Sequence, residues 1–208
     1  CGVVTNKCNR IVQFESYAER SLLLSLERDH CVKDYSSQPE TFVGCYSGGK
    51  AKHYTPDFIV WYADGRTAIH EVTRSERRTA PQQQMREQLA REICEERCWE
   101  YLVHTEMTLP DEREVANWLA VYPYRARGYA QANIHEAIQR VRTPIVISDL
   151  VSQIKEQGQV PDEQVWHALY HYLWRDVLKT DWRQMIFKNG YRELTCEVWY
   201  DGEAYCYE

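Results

Sequence analysis

Tyr54-Thr-Pro-Asp57-Phe58-Ile-Val-Trp-Tyr62-Ala-Asp-Gly65-Arg-Thr67-Ala-Ile-His-Glu71-Val-Thr73 holds two apolar runs joined by a short polar turn, with an acid where the first run begins and another where the second ends. Runs of this length and composition around Asp-Gly read as two strands of a hairpin. Whether the two acids meet depends on the parity of the turn. A two-residue turn at Asp64-Gly65 sets Asp57 opposite Val72 and leaves Asp57 and Glu71 on opposite faces, because side chains alternate along a strand. A three-residue turn, Ala63-Asp64-Gly65, sets Asp57 opposite Glu71 and requires a left-handed residue, which Gly65 supplies without strain. The three-residue turn is therefore expected, with both carboxylates on one face.

Upstream, Phe14 to Glu27 reads as a helix, capped at or near Ser16. Glu15, Glu19, Leu22, Leu23 and Leu26 fall on one helical face. A carboxylate on the apolar side of a helix is costly unless it is paired or bound to metal, which makes Glu19 a candidate. A strand or loop follows from Val32 to Phe42, through Gln38-Pro39, and Ser47-Gly48-Gly49 marks a turn. Downstream, Pro81 to Cys98 reads as a helix with Met85, Leu89 and Ile93 at spacing four. Tyr101 to Val103 reads as a further strand. Helix, strands, helix and strand in that order indicate an α/β unit: a mixed sheet flanked by helices.

Asp57, Glu71 and Glu19 make an all-oxygen donor set, with the Val72 carbonyl able to complete it. Hard cations, Mg²⁺ or Mn²⁺, suit such donors. A metal so held polarises a phosphate oxygen and lowers the pKa of an attacking water, so the expected reaction class is phosphodiester hydrolysis.

Phe14-Glu-Ser-Tyr-Ala-Glu19, Leu22 to Glu27, Gln38-Pro39, Tyr54-Thr-Pro-Asp57-Phe58 and Glu71-Val72, in this order, resemble the nuclease domain of the TnsA transposon endonucleases, members of the PD-(D/E)XK superfamily. The resemblance spans residues 5 to 108. It implies a restriction-endonuclease-like fold, with Glu19, Asp57 and Glu71 holding the catalytic metals. It also implies cleavage of the 5′, non-transferred strands at transposon ends, beside a TnsB-type DDE transposase and a TnsC-type AAA+ ATPase, in elements some of which are CRISPR-guided. The setting it implies is a bacterial cytoplasm, at the nucleoid during transposition. Thr73 departs from the pattern, which has a lysine two residues after the Glu71 position. Threonine offers a hydroxyl but no charge. Arg74 alternates onto the other face, which leaves Lys50 and Lys52 as candidates for a relocated amine.

Pro110-Asp111-Glu112 marks a boundary, giving a nuclease domain over 1–110 and a second domain over 111–208. The second is mostly helical to about Trp182. Ser148 is placed to cap a helix that ends at Gly158, and Pro161-Asp162-Glu163 starts another. After Asn189-Gly190, Thr195 to Tyr200 reads as a strand, so helix, turn, helix and ribbon give a winged-helix-like domain. His167, His171 and Arg175 are expected to form a polar surface stripe. The helix that carries them begins with acids, which suits a DNA reader poorly, so this domain is expected to dock protein partners.

The formal net charge of −6 argues against tight, unaided DNA binding, which counterion release normally drives. Arginines do gather at Arg74, Arg77 and Arg78 and at Arg125 and Arg127, where they can form local patches. The cysteine spacings complete no tetrahedral zinc site, so free thiols are expected. No apolar run approaches the roughly 18 residues of a membrane span, and no secretory signal pattern precedes the first structured segment. Three functions remain in play. One is the transposon-end endonuclease. Another is a catalytically weakened nuclease-fold subunit that bridges transposase and AAA+ regulator. The third is a different nuclease of the superfamily, of restriction or repair type.

Overall fold

Alternation within the two apolar runs decides which helix covers which face of the central sheet. The computed structural model describes residues 1–45, 51–129, 131–157, 160–184, 187–188, 191–192 and 195–201, with 44–45, 51–52, 127, 187–188 and 191–192 described by backbone alone. The turn expected at Ser47-Gly48-Gly49, Lys50, Gly158, Asn189-Gly190 and the side chain of Lys52 lie outside the described residues. The chain divides into two units, Cys1–Pro110 and Asp111–Glu208.

In the first unit the elements run β1 (Gly2–Thr5), β2 (Ile11–Phe14), α1 (Tyr17–Arg28), β3 (Val32–Ser37), β4 (Phe42–Cys45), β5 (Ala51–Tyr54), β6 (Phe58–Tyr62), β7 (Thr67–Val72), α2 (Pro81–Arg97) and β8 (Glu100–His104). The central sheet has the order β3-β6-β7-β8, with β7 and β8 parallel and the other pairs antiparallel. It is a mixed sheet between helices, as the order of elements implied. Phe58 and Val60 face α1 and pack with Leu22, Leu23 and Leu26. Ile59 and Ile69 face α2 and pack with Leu89, Ala90 and Ile93. Strand β7 is buried on both faces from Ala68 to Glu71, so His70 and Glu71 are polar groups taken out of water and must find partners there.

Three local readings are corrected. Phe14 ends a strand, and α1 begins only at Tyr17 because Ser16 caps it, its hydroxyl accepting from the Glu19 N–H. The preceding hairpin of β1 and β2 was missed. Met85 is exposed rather than buried, because the inner face of α2 is set by Leu89, Ala90, Ile93 and Cys94. Among the described residues the cysteines are free. Cys94 is buried, whereas Cys98 is the exposed left-handed cap that ends α2 (φ +56°).

In the second unit the elements are α3 (Glu112–Val121), α4 (Ala132–Gln139), β9 (Ile145–Val146), α5 (Ile147–Gln157), α6 (Asp162–Trp174), β10 (Leu178–Thr180), β11 (Phe187–Lys188), β12 (Tyr191–Arg192) and β13 (Glu197–Tyr200). A three-stranded antiparallel sheet has the order β10-β13-β9, and β11 pairs with β12 as a hairpin. Strand β10 falls where the sequence reading continued helix. From Trp166 to Trp174 every residue of α6 except His167 is buried. The covering elements are α3, α4, α5, β10 and the short 3-10 turns at Tyr122–Tyr124 and Arg127–Tyr129. The expected polar stripe is therefore wrong at His171, which is 1% exposed and whose Nδ1 donates to the Tyr124 carbonyl at 2.8 Å. Burial holds this imidazole below its ordinary range, against the pull of that carbonyl.

A second buried imidazole lies in the first unit. His70 faces α1, its Nδ1 2.9 Å from His104 Nε2 and its Nε2 3.0 Å from the Tyr62 hydroxyl. Burial, and then the neighbouring His104, push it down to about 3 from 6.5. A histidine depressed in the fold contributes stability that is complete above 6.5 and is lost as pH falls from there toward 3. His70 is accordingly expected to remain neutral at pH 5. An NMR titration of its ring protons checks this, and a midpoint near 6.5 would contradict it.

Candidate metal centre

The turn between β6 and β7 has three residues. Tyr62 N–H donates to the Arg66 carbonyl at 2.9 Å, and Gly65 takes φ +90°. The resulting register pairs Phe58 with His70 and Ile59 with Ile69. One step further, Asp57 stands opposite Glu71, both on the α2 side with Ile59 and Ile69. The parity argued from Gly65 is the one observed.

Glu71 is 2% exposed. Its Oε1 accepts from the Tyr54 hydroxyl. Asp57, partly buried, accepts the Val72 N–H on Oδ2 at 2.8 Å. Its own carbonyl accepts from Gln38 N–H at 2.9 Å, so the Gln38-Pro39 segment fixes the backbone beside it. Burial, then the charge of Asp57, push Glu71 up to about 7, against Arg86 and the Tyr54 hydroxyl. Burial also raises Asp57, with the charge of Glu19 adding to it and the Val72 N–H and Arg86 opposing. Both carboxyls are raised chiefly because burial penalises their charged forms.

Glu19 does not join them by contact. Its Oε1 accepts from the Ser16 hydroxyl and its Oε2 from the Glu15 N–H, both at 2.8 Å. It thus closes the first turn of α1 in the manner of a capping box, and it reaches the site only through its charge on Asp57. Glu15 is exposed and lies outside the helix. Val72 meets Asp57 through its N–H. Thr73 extends the parallel ladder by donating its N–H to the His104 carbonyl at 2.9 Å, so by alternation it shares the Glu71 face. Arg74 is exposed and 3.6 Å from Glu76. Glu27 plays no part in the site. It is buried at the far end of α1, accepting from the Tyr35 hydroxyl and the Lys7 N–H at 2.7 Å, and it ties α1 to β3 and the first hairpin.

The residue that sequence reasoning missed is Arg86. Its Nη2 lies 3.3 Å from Glu71 Oε1, 3.2 Å from Glu71 Oε2 and 4.0 Å from Asp57 Oδ1, and it donates to the Thr55 carbonyl at 2.8 Å. The signal was present: Arg86 precedes Leu89, Ala90 and Ile93 by three, four and seven residues, which puts a cation on the apolar face of α2. Nearby, Arg78 and Arg91 are engaged with Glu87. Of the arginines expected to form a basic patch, Arg78 is thus already neutralised.

The donor set fits a hard divalent cation. Asp57 and Glu71 supply carboxylate oxygens on one face, and a guanidinium already stands against both as a cation would. A separate exposed group, Asp29, His30 and Cys31, brings ligand atoms within 4.8 Å of one another, but its donors are mixed in softness and it lies at the opposite end of α1.

Comparison with known families bears on these residues. The family described as TnsA-like endonuclease N terminal matches residues 29–106. The match takes in Asp57, Glu71, Val72, Thr73 and Arg86, and it begins after Glu19. No curated protein matches the chain.

Proposed function

Starting from a chain whose residues 29–106 match the family described as TnsA-like endonuclease N terminal, we propose that it is a divalent-metal-dependent DNA endonuclease. It cleaves the 5′, non-transferred strands at transposon ends during cut-and-paste transposition. The observation that carries this reading is the meeting of Asp57 and Glu71 on one sheet face with a cation against both. Asp57 and Glu71 would hold Mg²⁺ or Mn²⁺, which when bound polarises a phosphate oxygen and activates water. Around it the chain's own groups keep the oxygens in place. The Tyr54 hydroxyl, itself pushed well above its ordinary range by burial and by Glu71, stays protonated and donates to Glu71. The Val72 N–H orients Asp57. Glu19 would join as a ligand only by leaving its bonds to Ser16 and Glu15.

The second unit supports a docking role. After α3 and α4 its elements come in the order β9, α5, α6, β10, hairpin, β13, with a sheet of order β9-β13-β10, which we read as a winged helix. In that motif α6 would be the helix to enter a major groove. Here it is buried over most of its length, and its exposed start is Asp162, Glu163 and Gln164. It is better suited to holding the unit together while other surfaces meet a DDE transposase and an AAA+ ATPase. Acting inside such a complex, at the nucleoid of a cytoplasm, fits the acidic net charge. Among the described residues no helix is long and apolar enough to cross a membrane.

Thr73 favours a second reading, a weakened nuclease subunit that bridges those partners. Strand-specific mapping of cleavage at transposon ends, with the chain reconstituted beside a TnsB-type transposase and a TnsC-type ATPase, separates the two. Mg²⁺-dependent breaks at the 5′ ends support the endonuclease, with little cutting by the isolated chain. Intact 5′ strands in an otherwise active complex support the bridge.

A further inference from the structure

We propose that Arg86 supplies the positive charge that position 73 lacks, facing the scissile phosphate from α2 rather than from β7. This rests on the endonuclease reading above. Four observations lead to it.

First, the position of Arg86 does not depend on the carboxylates alone. Its Nη2 donates to the Thr55 carbonyl at 2.8 Å, and its guanidinium carbon lies 5.2 Å from the centre of the Tyr54 ring. Neither contact uses a metal-ligand oxygen, so the side chain stays at the site when Asp57 and Glu71 turn to a metal.

Second, only one corner of the guanidinium is engaged. Nε and Nη1 make no hydrogen bond among the described residues, and the side chain is 41% exposed. Nε–H and the Nη1–H groups are left as donors to phosphate oxygens, one oxygen to each nitrogen, with the guanidinium charge behind them.

Third, among the described residues three arginines that follow β7 or share α2 with Arg86 are engaged elsewhere. Arg78 and Arg91 hold Glu87, and Arg74 lies beside Glu76 on an exposed turn.

Fourth, Thr73 shares the Glu71 face but brings only a hydroxyl. A lysine there would reach over the carboxylate pair along β7, and Arg86 reaches the same pair from the helix packed on that face. Against a phosphate the guanidinium would offset the charge that develops as the bond to the leaving oxygen breaks.

The test compares the full-length wild type with Arg86→Ala, Arg86→Lys and Asp57→Ala. Mn²⁺ binding is measured by calorimetry, and end cleavage by single-turnover kinetics in the reconstituted complex. Arg86→Ala is expected to bind Mn²⁺ as tightly as wild type or more tightly, since a competing cation has left Glu71. It is expected to cut about 10² to 10³ times more slowly. Arg86→Lys, which keeps the charge, should recover part of that loss, a rescue that a merely structural role would not give.

Cleavage by Arg86→Ala at the wild-type rate would overturn the proposal. So would a loss of Mn²⁺ affinity matching the loss of cleavage, which would make Arg86 only a holder of Glu71. A wild type that neither binds Mn²⁺ nor cuts would remove the endonuclease reading itself. A wild type that binds and cuts, with Asp57→Ala doing neither, leaves that reading standing whatever Arg86 does.

Discussion

Asp57→Asn and Asp57→Ala are both expected to lose Mg²⁺- or Mn²⁺-dependent end cleavage and most of the metal affinity, while the fold and partner docking persist. The two variants separate charge from hydrogen bonding. Asparagine keeps an oxygen for the Val72 N–H, which Asp57 now accepts at 2.8 Å; alanine removes it, at a cost of about 1 kcal/mol. Against that cost, either variant removes the charge that, after burial, does most to raise Glu71 to about 7. The melting temperature should therefore move little, and Asp57→Asn should be the more stable of the two. Glu71→Ala should lose metal binding as well, but with a larger loss of stability, because it strands the buried Tyr54 hydroxyl and takes both carboxylate oxygens from Arg86. Calorimetry with unchanged Mn²⁺ affinity in both Asp57→Ala and Glu71→Ala would sink the metal assignment, whatever happened to cleavage.

What the sequence disclosed about this site follows from how far each inference had to reach. The meeting of Asp57 and Glu71 was legible because it depends on local geometry alone. Gly65 permits a left-handed residue, that fixes the turn at three residues, and alternation does the rest. Glu19 was legible as a carboxylate on the leucine side of α1. Its bonds to Ser16 and Glu15 were not foreseen, because a residue on the third position of a helix both caps the first turn and faces the sheet, and spacing does not distinguish the two. Arg86 was overlooked because α2 was read through Met85, Leu89 and Ile93. The apolar face in fact turns through Leu89, Ala90, Ile93 and Cys94, with Arg86 rather than Met85 at its leading edge. In the second unit the periodicity of α6 suggested an exposed face for His167 and His171. That face is covered by Tyr124 and Tyr129, whose rings lie against His167 at 4.9 and 5.5 Å. Nothing within α6 announces such a cover, because it comes from a segment some forty residues earlier in the chain.

Combining Thr73→Lys with Arg86→Ala should restore cleavage about 10- to 100-fold over Arg86→Ala alone, because the charge returns to the same carboxylate face by the other route. The geometry supports the exchange. The Thr73 N–H continues the ladder to the His104 carbonyl at 2.9 Å, so a side chain at 73 projects beside Glu71. In the otherwise wild-type chain, Thr73→Lys should do little or slow the reaction slightly. Its ammonium would meet the Arg86 guanidinium over one pair of carboxylates, and two cations there repel more than they gain. The non-additivity of the two substitutions is therefore the informative quantity, and single-turnover rates of all four proteins measure it. Lys52→Ala, carried in parallel, should cut at the wild-type rate if Arg86 is the cation that matters. If instead Thr73→Lys alone accelerates 5′-strand cleavage a hundredfold while Arg86→Ala changes nothing, then Arg86 is a structural partner of Glu71. The natural chain would then be a nuclease held back by the threonine at position 73.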